Sequence, residues 1–152
     1  INDIQSPICI EQGKLFVPTF SNKLLVYDLK TGKKSWDLKL SSINPMVISG
    51  EIIYVIDIND KLMSIDKASG KLLWAVQLRS KKGNTEINWS GPLLTSYKLL
   101  LVSSEGTVLS LSPFSGKTIG KIKFKESFVS GPIQVNEKIY LISKQGSLYT
   151  LN

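Results

Sequence analysis

An all-β propeller of four-stranded antiparallel blades is predicted by three features of this 152-residue sequence. Units led by Pro7, Pro45, Pro92 and Pro132 follow one another at 38, 47 and 40 residues, a period typical of propellers and other repeat architectures. Each complete unit holds four apolar runs of about 4–7 residues, too short and too weakly 3.6-periodic for helices. An Asp…Gly-Lys…Trp frame recurs at constant spacing, which a sandwich of hairpins would not require.

The first unit reads Pro7-Ile8-Cys9-Ile10, Lys14-Leu15-Phe16-Val17, Leu24-Leu25-Val26-Tyr27-Asp28, Thr31-Gly32-Lys33 and Trp36. The second reads Pro45-Met46-Val47-Ile48, Ile52-Ile53-Tyr54-Val55-Ile56, Leu62-Met63-Ser64-Ile65-Asp66, Ser69-Gly70-Lys71 and Trp74. In both, Asp, Gly and Trp stand 21, 25 and 29 residues after the proline. The third is one residue shorter, with Ser112 in place of Asp, then Gly116-Lys117, and Gly120 where Trp is expected. The fourth stops after Ile139-Tyr140-Leu141-Ile142 and Leu148-Tyr149-Thr150-Leu151. The repeats span approximately 6–43, 44–90, 91–130 and 131–152, giving three complete blades and most of a fourth.

Turn chemistry separates the runs. Ser21-Asn22, Asn59-Asp60, Glu105-Gly106 and Gln145-Gly146 fall between second and third strands. Gly32, Gly70 and Gly116 supply the left-handed residue between third and fourth strands. Asp28 and Asp66 precede that turn, where a carboxylate can accept backbone N–H bonds. Trp36 and Trp74 are large enough to cover the gap between neighbouring blades, and each indole N–H needs an acceptor. The junction after the third blade, lacking Trp, is expected to pack more weakly.

Composition removes several functions. Hydrophobic residues make up 42% of the chain, too many for a disordered sequence, and no apolar run reaches the ~18–20 residues of a membrane-spanning helix. With no His and only Cys9, a Cys/His zinc site, an intramolecular disulfide and a histidine general base are excluded within the chain. No catalytic, cofactor or metal residues are assigned. The formal charge is +7, but eighteen of the nineteen cations are Lys, scattered at strand ends and turns. That pattern suits solubility and protection of sheet edges better than nucleic-acid reading, which leans on Arg. No nucleic-acid partner is expected.

Loops joining one blade to the next share a face with the turns between second and third strands. Arg79, Lys81 and Lys82 lie in the insertion that stretches the second spacing, as either a basic contact loop or a mobile solvated one. Trp89, outside the docking frame, is either an exposed interface anchor or packing at a strand start.

Val26-Tyr27-Asp28-Leu29-Lys30-Thr31-Gly32-Lys33-Lys34-Ser35-Trp36 and its second copy ending at Trp74 resemble the tryptophan-docking repeat of quinoprotein-like propellers. The segment from Ser42-Ile43-Asn44 to Leu62-Met63, and the end from Gly131-Pro132 to Leu151-Asn152, are similar to the BamB-like lipoproteins of the bacterial outer-membrane β-barrel assembly machine. That resemblance implies the C-terminal part of an eight-bladed ring, lipid-anchored on the periplasmic side of the outer membrane. It implies a non-catalytic scaffold without cofactor that binds the barrel-assembly subunit and unfolded outer-membrane proteins. Open blade edges would offer a route to self-association.

Asp3-Ile4-Gln5-Ser6-Pro7 resembles the acidic contact loop of those lipoproteins, with Gln5 replacing the second acid. The resemblance thus implies partner contacts at Asp3 and Gln5. The competing readings are a pyrroloquinoline-quinone (PQQ) dehydrogenase fragment and a propeller adaptor for another protein. The single Cys argues against the first, whose members often carry a vicinal Cys pair.

Overall fold

A computed structural model describes residues 7–19 and 21–151. Among them there is no helix, and every sheet is antiparallel. The first sheet comprises β1 (Cys9–Glu11), β2 (Lys14–Thr19), β3 (Lys23–Asp28) and β4 (Lys34–Lys39). The second comprises β5 (Val47–Ser49), β6 (Ile52–Ile56), β7 (Lys61–Asp66) and β8 (Leu72–Gln77). A hairpin of β9 (Lys81–Lys82) and β10 (Thr85–Glu86) intervenes. The third sheet follows, with β11 (Trp89–Leu94), β12 (Leu99–Ser103), β13 (Thr107–Leu111) and β14 (Thr118–Lys123). The fourth holds β15 (Ile133–Val135), β16 (Lys138–Ile142) and β17 (Leu148–Leu151). Within each sheet the strands are ordered as in the sequence, so every connection is a tight turn. This is a β-propeller arrangement.

The period-2 alternation of strands explains how the sheets stack. On β6, Ile53 and Val55 pack with Phe16, Leu24 and Val26 of the first sheet, while Tyr54 and Ile56 pack with Leu99, Leu101 and Leu111 of the third. On β12, Leu100 and Val102 point the other way, toward Ile139 and Leu141 of the fourth. Strands β6 and β12 are buried on both faces, and this is why they read as unbroken apolar runs.

Frame residues act across these junctions. The Trp36 indole N–H donates to the Lys67 carbonyl at 3.0 Å, and that of Trp74 to the Pro113 carbonyl at 3.0 Å. Asp28 Oδ1 accepts the Thr31 N–H and Asp66 Oδ1 the Ser69 N–H, each at 2.8 Å, holding the turns as the frame predicts. Gly116 has φ +69°, and a Cβ there would fall 2.8 Å from Trp74 Cε3. The third junction is built differently. Phe124, Phe128 and Tyr149 form edge-on ring contacts with centroids 4.9–5.9 Å apart. This aromatic trio supplies the bulk that the missing Trp would have contributed.

Lys67 adds a second pin between the first two sheets. Its almost fully buried ammonium donates to Gln12 Oε1 at 2.8 Å, with Glu51 at 3.6 Å and Glu11 at 3.9 Å.

Candidate protein-interaction face

One face is assembled from the inter-sheet segments and the turns between second and third strands. The turn residues Asn22, Asp60, Gly106 and Gly146 all have positive φ, which suits Asn, Asp and Gly there. The first three turns are tied to the segment leaving their own sheet: Leu40 N–H donates to Asn22, Leu78 N–H to Asp60 and Phe124 N–H to Gly106. The last three are tied to the segment arriving from the preceding sheet: Ile58 N–H donates to Ser41, Ser104 N–H to Asn88 and Lys144 N–H to Ser127. Backbone bonds therefore join the loops into one continuous surface.

The candidate residues fall on this face in different ways. Lys81 and Lys82 form β9, paired with Glu86 and Thr85, so the insertion is built as a two-stranded hairpin. Arg79 Nε donates to the Lys81 carbonyl at 2.8 Å and braces the hairpin base. Lys82 Nζ lies 3.7 Å from Glu105 Oε2, and Lys123 Nζ lies 3.6 Å from the same oxygen. Burial pushes the Glu105 carboxyl up, but Lys123, Thr107, Lys82 and Arg79 outweigh it and hold it below the usual value.

Trp89 requires a correction. It is 6% exposed at the start of β11, packed among Tyr54, Ile56, Leu62 and Ile87, and its indole N–H donates to the Arg79 carbonyl at 2.8 Å. It is a core residue that fixes the hairpin from beneath, not an exposed anchor. Asp3 and Gln5 lie outside the described residues. Gly32, Gly70, Gly116 and the paired Asp and Trp residues stand at the sheet junctions and turns, where they build the scaffold.

The sequence did not reveal a cleft of about 230 Å³ between the second sheet and the hairpin. Ile43, Asp57, Ile58, Asp60, Lys81 and Glu86 line it, with Trp89 behind. Ile43 and Ile58 are exposed. Burial, reinforced by Asp57 and Glu86, raises the Asp60 carboxyl above its ordinary value. The signal was divided among three loops from two repeats, so no local motif contains it. Among the described residues, no group of three or more His, Cys, Asp or Glu is placed to hold a metal ion. What this face offers is a mixed apolar and charged surface on rigid backbone, suited to protein contacts.

A family model described as outer membrane protein assembly factor BamB matches residues 1–76 and 64–152. The BamB of Escherichia coli strain K12 is 24% identical over 152 residues, covering 99% of this chain and 38% of that protein. That of Shewanella oneidensis is 26% identical over 147 residues, covering 96% of this chain and 36% of that protein. The crystal structure of BamB from Moraxella catarrhalis superposes with a TM-score of 0.81 at 17% identity, covering 98% of this chain and 44% of that one. The chain thus spans less than half the length of these relatives.

Proposed function

The chain belongs to the outer membrane protein assembly factor BamB family, and from that membership we propose that it acts as a non-catalytic scaffold in outer-membrane protein assembly. It works on the periplasmic side of the outer membrane, held there by a lipid anchor on the full-length protein. Its partner is the barrel-assembly subunit, and unfolded outer-membrane proteins are the cargo that the pair handles.

The observation that carries this reading is the hydrogen-bonded face. Turns and inter-sheet segments from successive sheets are joined by backbone bonds, so their backbone has less freedom left to lose on binding. Lys81 and Lys82 on their hairpin provide charge, and Ile43 and Ile58 beside the cleft provide apolar area. The resemblance of Asp3-Ile4-Gln5-Ser6-Pro7 to the family's contact loop adds Asp3 and Gln5 as proposed partner contacts. Trp89 contributes indirectly, by holding the hairpin base through the Arg79 carbonyl.

Co-purification of the full-length protein with the barrel-assembly subunit tests the reading. A stable complex is expected, weakened by Asp3→Arg. Absence of a complex, together with dye reduction in the presence of added PQQ and Ca²⁺, would instead favour the dehydrogenase alternative.

A further inference from the structure

We propose that two neighbouring turns of the third sheet, on the side opposite the interaction face, form a docking surface for an anionic lipid bilayer. Tyr97 and Phe114 are 85% and 91% exposed, the highest values for large apolar side chains among the described residues. Tyr97 lies in the turn between β11 and β12, and Phe114 in the turn between β13 and β14. Leu99 pairs with Leu111, so the two turns are adjacent at the end of one ladder.

Neither ring is exposed through disorder of its turn. Thr95 donates to the Lys98 carbonyl through both its N–H (2.9 Å) and its hydroxyl (3.1 Å). Ser112 N–H donates to Lys117 and Gly116 N–H to Ser112, each at 2.8 Å. The intervening Pro113 carbonyl accepts both the Trp74 indole N–H and the Tyr54 hydroxyl of the second sheet. The fold therefore holds the backbone of the second turn firmly while its aromatic ring projects outward.

The repeat shows what is special about these turns. At the frame position occupied by Asp28 and Asp66, the third copy has Ser112; where the others have Lys30 and Ala68, it has Phe114. The corresponding turns before the second strand carry Glu51 in the second sheet and Glu137 in the fourth, whereas the third carries Tyr97. The only charges left in the two turns are Lys98 and Lys117, and neither forms an ion pair among the described residues.

An acid-free, protruding pair of aromatics flanked by free ammonium groups matches the bilayer interface. Rings settle at headgroup depth while lysines reach the phosphates. Neither Tyr97 nor Phe114 lines the cleft beside the hairpin, and the charges of Lys98 and Lys117, unpaired among the described residues, complement an anionic headgroup layer.

The experiment is sedimentation of the chain with phosphatidylcholine vesicles, with and without phosphatidylglycerol. Binding to the anionic vesicles is expected. It should weaken about tenfold in Tyr97→Ser/Phe114→Ser, which leaves the net charge unchanged, and by at least as much in Lys98→Glu/Lys117→Glu. The control Lys125→Glu/Lys144→Glu changes the net charge equally on the opposite face and should have a clearly smaller effect. Circular dichroism should be unchanged throughout, since all substituted side chains are at the surface. No binding, unaltered binding by the aromatic variant, or equal loss in the control would each overturn the proposal.

Discussion

The indole of Trp36 lies directly over Gly70 of the next sheet, so that a Cβ at residue 70 would fall 2.6 Å from Trp36 Cε3. The glycine thus serves two needs. Its φ of +74° shapes the turn between β7 and β8, and its missing side chain is the seat for the ring. The Trp36 N–H then reaches the Lys67 carbonyl three residues before that glycine.

Gly70→Ala is therefore expected to be much more damaging than Gly32→Ala. Both positions have left-handed φ, costing roughly 1–2 kcal/mol for a side chain. Nothing lies within 4 Å of the Cβ position at Gly32, whereas a methyl group at residue 70 would collide with the ring, adding about 1–3 kcal/mol of overpacking. Urea denaturation of the two variants measures the difference. Equal losses would show that turn conformation alone, and not the ring seat, governs the site.

A second comparison concerns the junction without a tryptophan. Phe128→Ala removes the ring that touches both Phe124 and Tyr149 and should cost about 3–5 kcal/mol. Ile119→Ala, on exposed β14, should stay within about 0.5 kcal/mol of the parent. Thermal denaturation followed by near-ultraviolet circular dichroism would register both. A Phe128→Ala variant as stable as the parent would mean that the aromatic trio does not carry the junction.

Much of this architecture was legible in the sequence, because the repeat samples the same turn several times. The Asp carboxylates, left-handed glycines and cross-sheet Trp residues are local or frame-periodic, and the structure places them as the spacing requires. Trp89 was ambiguous because its burial depends on Tyr54, Ile56 and Leu62, contributed by β6 and β7 of the preceding sheet. The hairpin around Lys81 and Lys82 was hidden because only one spacing contains the insertion. Phe124 and Phe128 were missed as replacements for Trp because they sit after β14, off the frame. The cleft beside Asp60 needed three loops in their final positions.

Stability should also depend on pH with opposite signs at two kinds of carboxylate. Asp28 and Asp66 titrate below their ordinary value of 3.8: Asp28 chiefly through the Thr31 N–H, Asp66 chiefly through the Ser69 hydroxyl and then its N–H. Their contribution is fully present above that ordinary value and is lost as pH falls through the lowered ones. Asp60 is raised, chiefly by burial, so ionising it opposes folding as pH rises through its shifted value. Asp28→Asn/Asp66→Asn should flatten the acid limb of a pH–stability curve. Asp60→Asn should gain stability at neutral pH and lose that advantage in acid, and Asn also accepts the φ of +58° at this turn. A neutral-pH loss for Asp60→Asn would contradict the assignment.

The central claim is that a protein partner is bound through the face carrying the β9–β10 hairpin. Its most direct test is a calorimetric titration of the full-length protein with the periplasmic domains of the barrel-assembly subunit, comparing the parent with Lys81→Glu/Lys82→Glu. That pair leaves the Arg79 brace and the Trp89 hydrogen bond in place. The expected result is about a tenfold or greater loss of affinity, with folding stability lowered by no more than about 1 kcal/mol through the new like-charge contacts with Glu86 and Glu105. Parent-like affinity in this variant, with loss on substituting the opposite face at Lys30 and Lys71, would contradict it.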